Sequence, residues 1–217
     1  MIGSPVRIWC VGDSITEGAI SGSTASPGGG YRATIRANLF AAQRAFLFVG
    51  TLTGSDLPAT KHDGHGGYTI ELIRANRAAW QATALPDLVL LMLGTNNLVT
   101  VNRAREMRDG GAFGLLRLVE ELASGAGDPA VIVSAISPVD LTVAGYSPDT
   151  PGLITRFNTV AQAGVLARAA QGLPVSWVNP SLTTADLSDG VHPTAAAYTG
   201  KIAPAFQTAV DAYFGGL

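Results

Sequence analysis

Cysteine is almost missing from this chain of 217 residues: Cys10 stands alone, which excludes an internal disulfide and any cysteine-built metal site. Lysine is nearly as scarce, with Lys61 and Lys201 beside twelve arginines, a skew that reads as coding bias. Charged residues reach only 14 % and sum to a formal −2, with no block of like charge. The clustered basic footprint that nucleic acid or an anionic membrane surface requires is therefore lacking. No apolar run approaches the roughly 20 residues that cross a bilayer; the longest, residues 88–93, has the length of a strand. Strand-like sequence begins near Val6 and leaves no room for a signal peptide, so the expectation is a cytoplasmic protein or the processed form of a secreted one.

Apolar residues, in contrast, make up 47 % of the chain, which excludes disorder, coiled coil and collagen. The length suits one domain over residues 1–217. Short β-type runs recur at residues 6–11, 46–49, 87–93, 130–136 and 174–178, apolar throughout rather than alternating, as strands covered on both faces are. Between them, helix-period stretches are predicted over 31–43, 69–83, 109–124, 152–171 and 193–214. The first puts Ile35, Leu39 and Ala42 on one stripe; the second does so with Ile70, Ile73, Arg77 and Trp80, the stem of Arg77 covering the edge of the buried face. Five β–α repeats predict an α/β fold of three layers, a flavodoxin-like five-stranded parallel sheet in the order 2-1-3-4-5. Residues 21–30 and 137–152 read as long loops. In such a sheet, ligands bind at the carboxyl ends of the strands, so chemistry should crowd the loops there.

It does. Val-Gly-Asp-Ser-Ile-Thr-Glu-Gly (residues 11–18) follows strand one, and His-Asp-Gly-His-Gly-Gly-Tyr-Thr (62–69) reads as the loop after strand two. Gly-Thr-Asn-Asn (94–97) ends strand three, and Ser-Asp-Gly-Val-His-Pro-Thr (188–194) lies beyond strand five. These four blocks, in this order and spanning most of the chain, resemble the SGNH or GDSL-like hydrolases. Residues 57–70, with Leu-Pro ahead of the histidine-glycine block, are most similar to carbohydrate esterase family 3, a group of acetylxylan esterases.

Ser14, just past a strand at the turn into a helix, is the candidate nucleophile; its plain alternative is a helix N-cap. Serine needs a base to remove its proton. His192, one of three histidines, is the natural one, placed just before Pro193 at the start of the last helix. Asp189, three residues earlier across a glycine turn, can reach the imidazole and fix its tautomer; Asp186 is the rival acid. Asp13 is expected to make a structural hydrogen bond only. The resemblance implies an oxyanion hole from the backbone N–H of Ser14, the backbone N–H of Gly67 (with Gly66 the alternative), and the Asn96 side chain. Asn97 departs from the family's commoner aspartate, which leaves the geometry of that loop open.

Tyr68 and Tyr146 have ring faces to stack on a sugar, with His65 lining the same pocket. His62, Asp63 and His65 lack the helical spacing of a metal motif, and the first loop does not spell Gly-x-Gly-x-x-Gly, so neither metal nor other cofactor is expected. The resulting expectation is a serine esterase that removes short acyl groups, acetyl above all, from carbohydrate or other small esters. The competing readings are a lipid-directed or broad carboxylesterase and an idle carbohydrate- or flavin-binding module. Oligomeric state has no signature in the sequence.

Overall fold

The computed structural model describes residues 4–20, 29–54, 60–99, 110–142 and 146–217. Parts of the two expected long loops (21–28 and 143–145), the start of the expected helix at Asp109, and residues 57–59 of the carbohydrate-esterase-like stretch lie outside them.

β1 (Val6–Gly12) runs through the middle of the sheet, parallel to β5 (Leu88–Met92), with β6 (Ala130–Ser134) and β7 (Val175–Val178) following outward in parallel. The other edge of β1 is shared by two short parallel strands. β2 (Phe46–Val49) pairs with its first half, and β4 (Lys61–Gly64) pairs with Val11 and Gly12 at its end. β3 (Leu52–Thr53) lies antiparallel outside β4. The expected order therefore stands, but the described residues form seven strands rather than five, because the second position is split between β2 and β4. His62, Asp63 and Gly64 thus belong to a strand, not to the loop expected there. A polar four-residue strand carries too little apolar pattern to be read from sequence.

Side chains alternate across the sheet and bury on both faces. Trp9, Val11, Val89, Leu91, Val131 and Val133 point to one side, under α3 (Ile70–Ala84), α5 (Gly110–Ala123) and α6 (Thr150–Ala170). Ile8, Cys10, Leu88, Leu90 and Ile132 face the other, under α2 (Tyr31–Ala41) and the C-terminal helix. Burial pushes the Cys10 thiol up to about 12, which leaves it unreactive near neutral pH. Ile35 and Leu39 pack as expected, but α2 ends at Ala41 and Ala42 is exposed, with no turn left to carry it inward. Arg77 does lie half-buried along α3, and its guanidinium donates to the Glu121 carbonyl of α5 at 3.0 Å. Among the described residues, no helix is long and apolar enough to cross a membrane.

The last expected helix is broken in register. α7 (Ala195–Ala197) continues through a π-helical turn (Tyr198–Ile202) into α8 (Ala203–Gly215). Such turns let one side chain leave the regular spacing. Here Tyr198, fully buried, donates its hydroxyl to the Ala19 carbonyl at 2.7 Å and ties the C-terminal helix to the segment that follows β1. Tyr198→Phe strands that carbonyl without a donor. The expected result is a loss of about 1–3 kcal/mol in a denaturant titration, with unchanged slope.

Candidate active site

Ser14 lies two residues past the end of β1 and is the first residue of a short helix, α1 (Ser14–Glu17). The N-cap is Asp13, not Ser14: its Oδ1 accepts from the Ile15 N–H at 3.0 Å, which leaves the serine hydroxyl to other partners. α1 can lie against β4 because residue 64 is glycine; a Cβ there would stand 2.3 Å from the Glu17 nitrogen. His65 N–H donates to the Gly12 carbonyl at 3.0 Å, so the chain leaving β4 stays beside the chain leaving β1.

The fourth loop reaches this point from the far end of the sequence. Ser14 Oγ lies 2.9 Å from His192 Nε2, across 178 residues, and His192 Nδ1 lies 2.8 Å from Asp189 Oδ2. A carboxylate can only accept, so Nδ1 carries the proton and Nε2 accepts from the serine hydroxyl. The other Asp189 oxygen accepts from the backbone N–H of His192 at 2.8 Å and of Val191 at 3.1 Å. Ser188 N–H and the Thr194 N–H close the loop onto the carbonyls of His192 and Asp186 at 2.8 and 2.7 Å. Asp186 is engaged elsewhere. It accepts from Thr183 and pairs with Lys201 at 2.7 Å, which holds its carboxyl down to about 2.

Asn96 sits in a short helix after β5, α4 (Thr95–Val99), and its Nδ2 donates to the Tyr68 carbonyl at 3.0 Å. β5 and β4 flank β1 on opposite edges, so the segments that carry Asn96 and the glycine block leave the sheet on either side of the one that carries Ser14. His65 to Tyr68 form a turn closed at 3.1 Å, with Gly67 at φ +75°, where glycine carries no strain. Gly66 and Gly67 are both exposed at this turn. The His65 ring stacks against Tyr68 at 4.7 Å and against Trp80 at 4.4 Å, and its Nε2 is 3.2 Å from Asp63. Tyr146 is half-buried; burial first, then the nearby charge of Asp189, raises its hydroxyl above the ordinary value.

Two supports hold the site: Asp63, for which a structural or pocket-lining role was expected, and Asn97, whose holding role escaped the sequence reading. Asp63 is fully buried in β4 and accepts from Trp9 Nε1 at 2.6 Å, from Thr51 N–H at 3.1 Å and from the Thr51 hydroxyl. Burial pushes its carboxyl up, but these hydrogen bonds, with that of His65, outweigh it and hold the group below its usual range. Asn97, where the family's aspartate is replaced, is also fully buried. Its Oδ1 accepts from the Ile70 N–H at 3.0 Å and its Nδ2 donates to Glu71 at 2.9 Å, so an amide does the holding of that loop. Neither was visible in composition; the only sequence signal was an acid or amide inside an otherwise motif-like block. Neighbouring His62 is buried and neutral, its Nδ1 accepting from Gly64 N–H at 3.1 Å. Burial, with the Arg32 guanidinium, holds its pKa down to about 3. Asp13 is shifted the opposite way, to about 6, chiefly by burial.

Residues 10–199 match the GDSL-like lipase/acylhydrolase family. No curated protein matches the chain. Among solved structures, a family 3 carbohydrate esterase of Clostridium thermocellum superposes with a TM-score of 0.76 at 27 % identity, over 96 % of this chain and 97 % of that one. A family 3 carbohydrate esterase from Talaromyces cellulolyticus gives 0.74 at 24 %, over 95 % and 99 %. The aryl esterase of M. smegmatis also gives 0.74, at 21 %, over 95 % and 99 %.

The buried neutral His62 makes stability pH-dependent. Below 6.5 the unfolded chain takes up a proton that the folded one refuses until about 3, so this group removes stability as pH falls through that window. Asp13 acts in reverse between about 6 and 3.8, and masks it in the wild type. His62→Asn, whose amide oxygen replaces Nδ1 as acceptor, is therefore expected to gain on the wild type by up to about 1.4 kcal/mol per pH unit between pH 6.5 and 4. Urea titrations at several pH values check this, and parallel curves would refute it. Asn97→Ala should cost about 1–3 kcal/mol by the same method.

Proposed function

The chain belongs to the GDSL-like lipase/acylhydrolase family, and on that premise we propose that it removes short acyl groups, acetyl above all, from carbohydrate or other small esters through Ser14, His192 and Asp189. It is a carboxylic ester hydrolase. The observation that carries the residue-level reading is the unbroken hydrogen-bonded series from Ser14 Oγ through His192 to Asp189.

In this reading the Ser14 hydroxyl gives its proton to His192 Nε2 as Oγ bonds to the ester carbonyl carbon. The negative charge on the former carbonyl oxygen is met by the backbone N–H of Ser14, that of Gly67, and the Asn96 amide oriented by the Tyr68 carbonyl. Asp189 holds the imidazole in register and stabilises its charged form. The intermediate collapses, the carbon–oxygen bond to the alcohol breaks, and the imidazolium donates its proton to that oxygen. Water, deprotonated by the same histidine, then attacks the acyl-serine and releases the acid. No metal or cofactor enters any step.

Acetyl as the acyl group and a sugar as the alcohol are supported by the overall structural likeness to family 3 carbohydrate esterases and by the sequence resemblance of residues 57–70 to that group. Tyr68 and Tyr146 are the proposed sugar contacts, with His65 backing the Tyr68 ring.

Ser14→Ala is expected to lower kcat on phenyl acetate by roughly 10⁴-fold or more, with near-normal melting. Substantial residual turnover in a folded variant refutes the mechanism. Asp189→Asn should lower kcat by about 10⁴-fold while the serine remains in place. Acetate release from acetylated xylan, measured beside aryl esters of two to twelve carbons, tests the substrate. A maximum at two carbons is expected; a maximum at eight or more transfers the assignment to lipid-like esters.

A further inference from the structure

Apart from the Ser14–His192 pair, a cavity of about 360 Å³ opens between α6 and the loops that leave β6 (residues 135–138) and β7 (residues 179–182). That volume lies within the ~300–1,000 Å³ of sites that take small ligands. It is a built pocket. The Asn158 side chain in α6 clamps Ile136 at both ends, accepting from its N–H at 3.0 Å and donating to its carbonyl at 3.1 Å, which fixes one wall. Trp177 supplies an aromatic wall, half-buried, and its indole N–H has no acceptor among the described residues.

The chemistry of the lining narrows the ligand. Among the described residues the lining holds no charged side chain, which disfavours a phosphate, a carboxylate, an amine or a metal ion. It does contain the amides of Gln162 and Asn179 and the hydroxyls of Thr155 and Thr159. Both hydroxyls donate back to their own helix, at 3.0 and 2.9 Å, and so meet a ligand as acceptors. An acyl chain laid in this cavity would displace water from the Gln162 and Asn179 amides and return no hydrogen bond to them. A neutral ligand with hydroxyls around its edge and C–H faces to lay on an aromatic wall matches the amides and hydroxyls of this lining. The pocket also opens at the carboxyl ends of its strands, the same edge as Ser14. Strands about 4.8 Å apart put the β6–β7 gap some 12 Å along that edge from β1.

We propose that the cavity walled by Trp177, Gln162 and Asn179 is a second carbohydrate-binding site, which holds the unsubstituted backbone of a polysaccharide while another part of the same chain lies at Ser14. The inference takes the polymer's identity from the carbohydrate reading above, but binding here needs no ester cleavage. The test is calorimetric titration of the full chain with xylohexaose and with cellohexaose, for the wild type, Trp177→Ala and Gln162→Arg. Saturable binding of at least one oligosaccharide is expected, weakened about tenfold or more in both variants. Turnover of phenyl acetate should be the same in all three proteins. Gln162 is exposed on α6, so Gln162→Arg keeps the fold and decides the matter if Trp177→Ala does not. Absence of binding to either sugar, or binding that survives Gln162→Arg, overturns the proposal. Absence of phenyl acetate turnover in the wild type would instead count against the esterase reading, and the titrations would still decide this site.

Discussion

β1 is paired in parallel along both edges, with β4 on one side and β5 on the other, and the geometry of the site follows from that constraint. Parallel strands all end at the same rim, so the loops after β1, β4 and β5 are neighbours however far apart they lie in sequence. The fourth loop is brought in by the C-terminal helix, which Tyr198 fastens to Ala19. Once these four ends meet, a hydroxyl and an imidazole separated by 178 residues stand within one hydrogen bond of each other. Without the parallel rim, the same residues would be four unrelated turns.

The rim alone does not set loop geometry to the fraction of an ångström that proton transfer needs. That work falls to buried polar side chains. Asp63 gathers Trp9 of β1, Thr51 and His65 around one carboxylate, and so fixes how β4 hands over to the glycine turn. Asn97 pins the start of α3 to the end of β5, and beside it Asn96 is oriented by the Tyr68 carbonyl. Each such group is costly to bury unpartnered and modestly favourable when fully bonded, so the arrangement tolerates few alternatives. The neutral His62 and the raised carboxyl of Asp13 sit in the same dry layer and carry the electrostatic signature of it.

Much of this was legible in the sequence, and the reasons are specific. Continuous apolar runs such as 88–93 suit strands covered on both faces, and the simplest three-layer arrangement of five β–α repeats has the strand order that is found. Ser14, Asp189 and His192 stood out because they lie in blocks that resemble, in the same order, those of the SGNH hydrolases. What was not legible was polar structure without periodicity. β4 reads Lys-His-Asp-Gly, four residues that resemble a loop until β1 supplies the hydrogen bonds. Ser14 resembled a cap as much as a nucleophile, and the capping role went to Asp13 one residue earlier. The replacement of aspartate by Asn97 looked like a weakness in the loop, since nothing in the sequence says that Ile70 N–H and Glu71 would meet its amide. The Trp177 cavity was likewise invisible, being assembled from three elements that share no motif.

The account turns on whether the Ser14 oxygen is a nucleophile made reactive by His192, and covalent trapping asks that directly. The intact protein is treated with a p-nitrophenyl alkylphosphonate and its mass and peptide map are recorded, with His192→Ala in parallel. The account predicts one phosphonyl group per chain, on the peptide that contains Ser14, and no adduct in the variant. A wild-type protein that stays unlabelled, or one labelled at another residue, would contradict it.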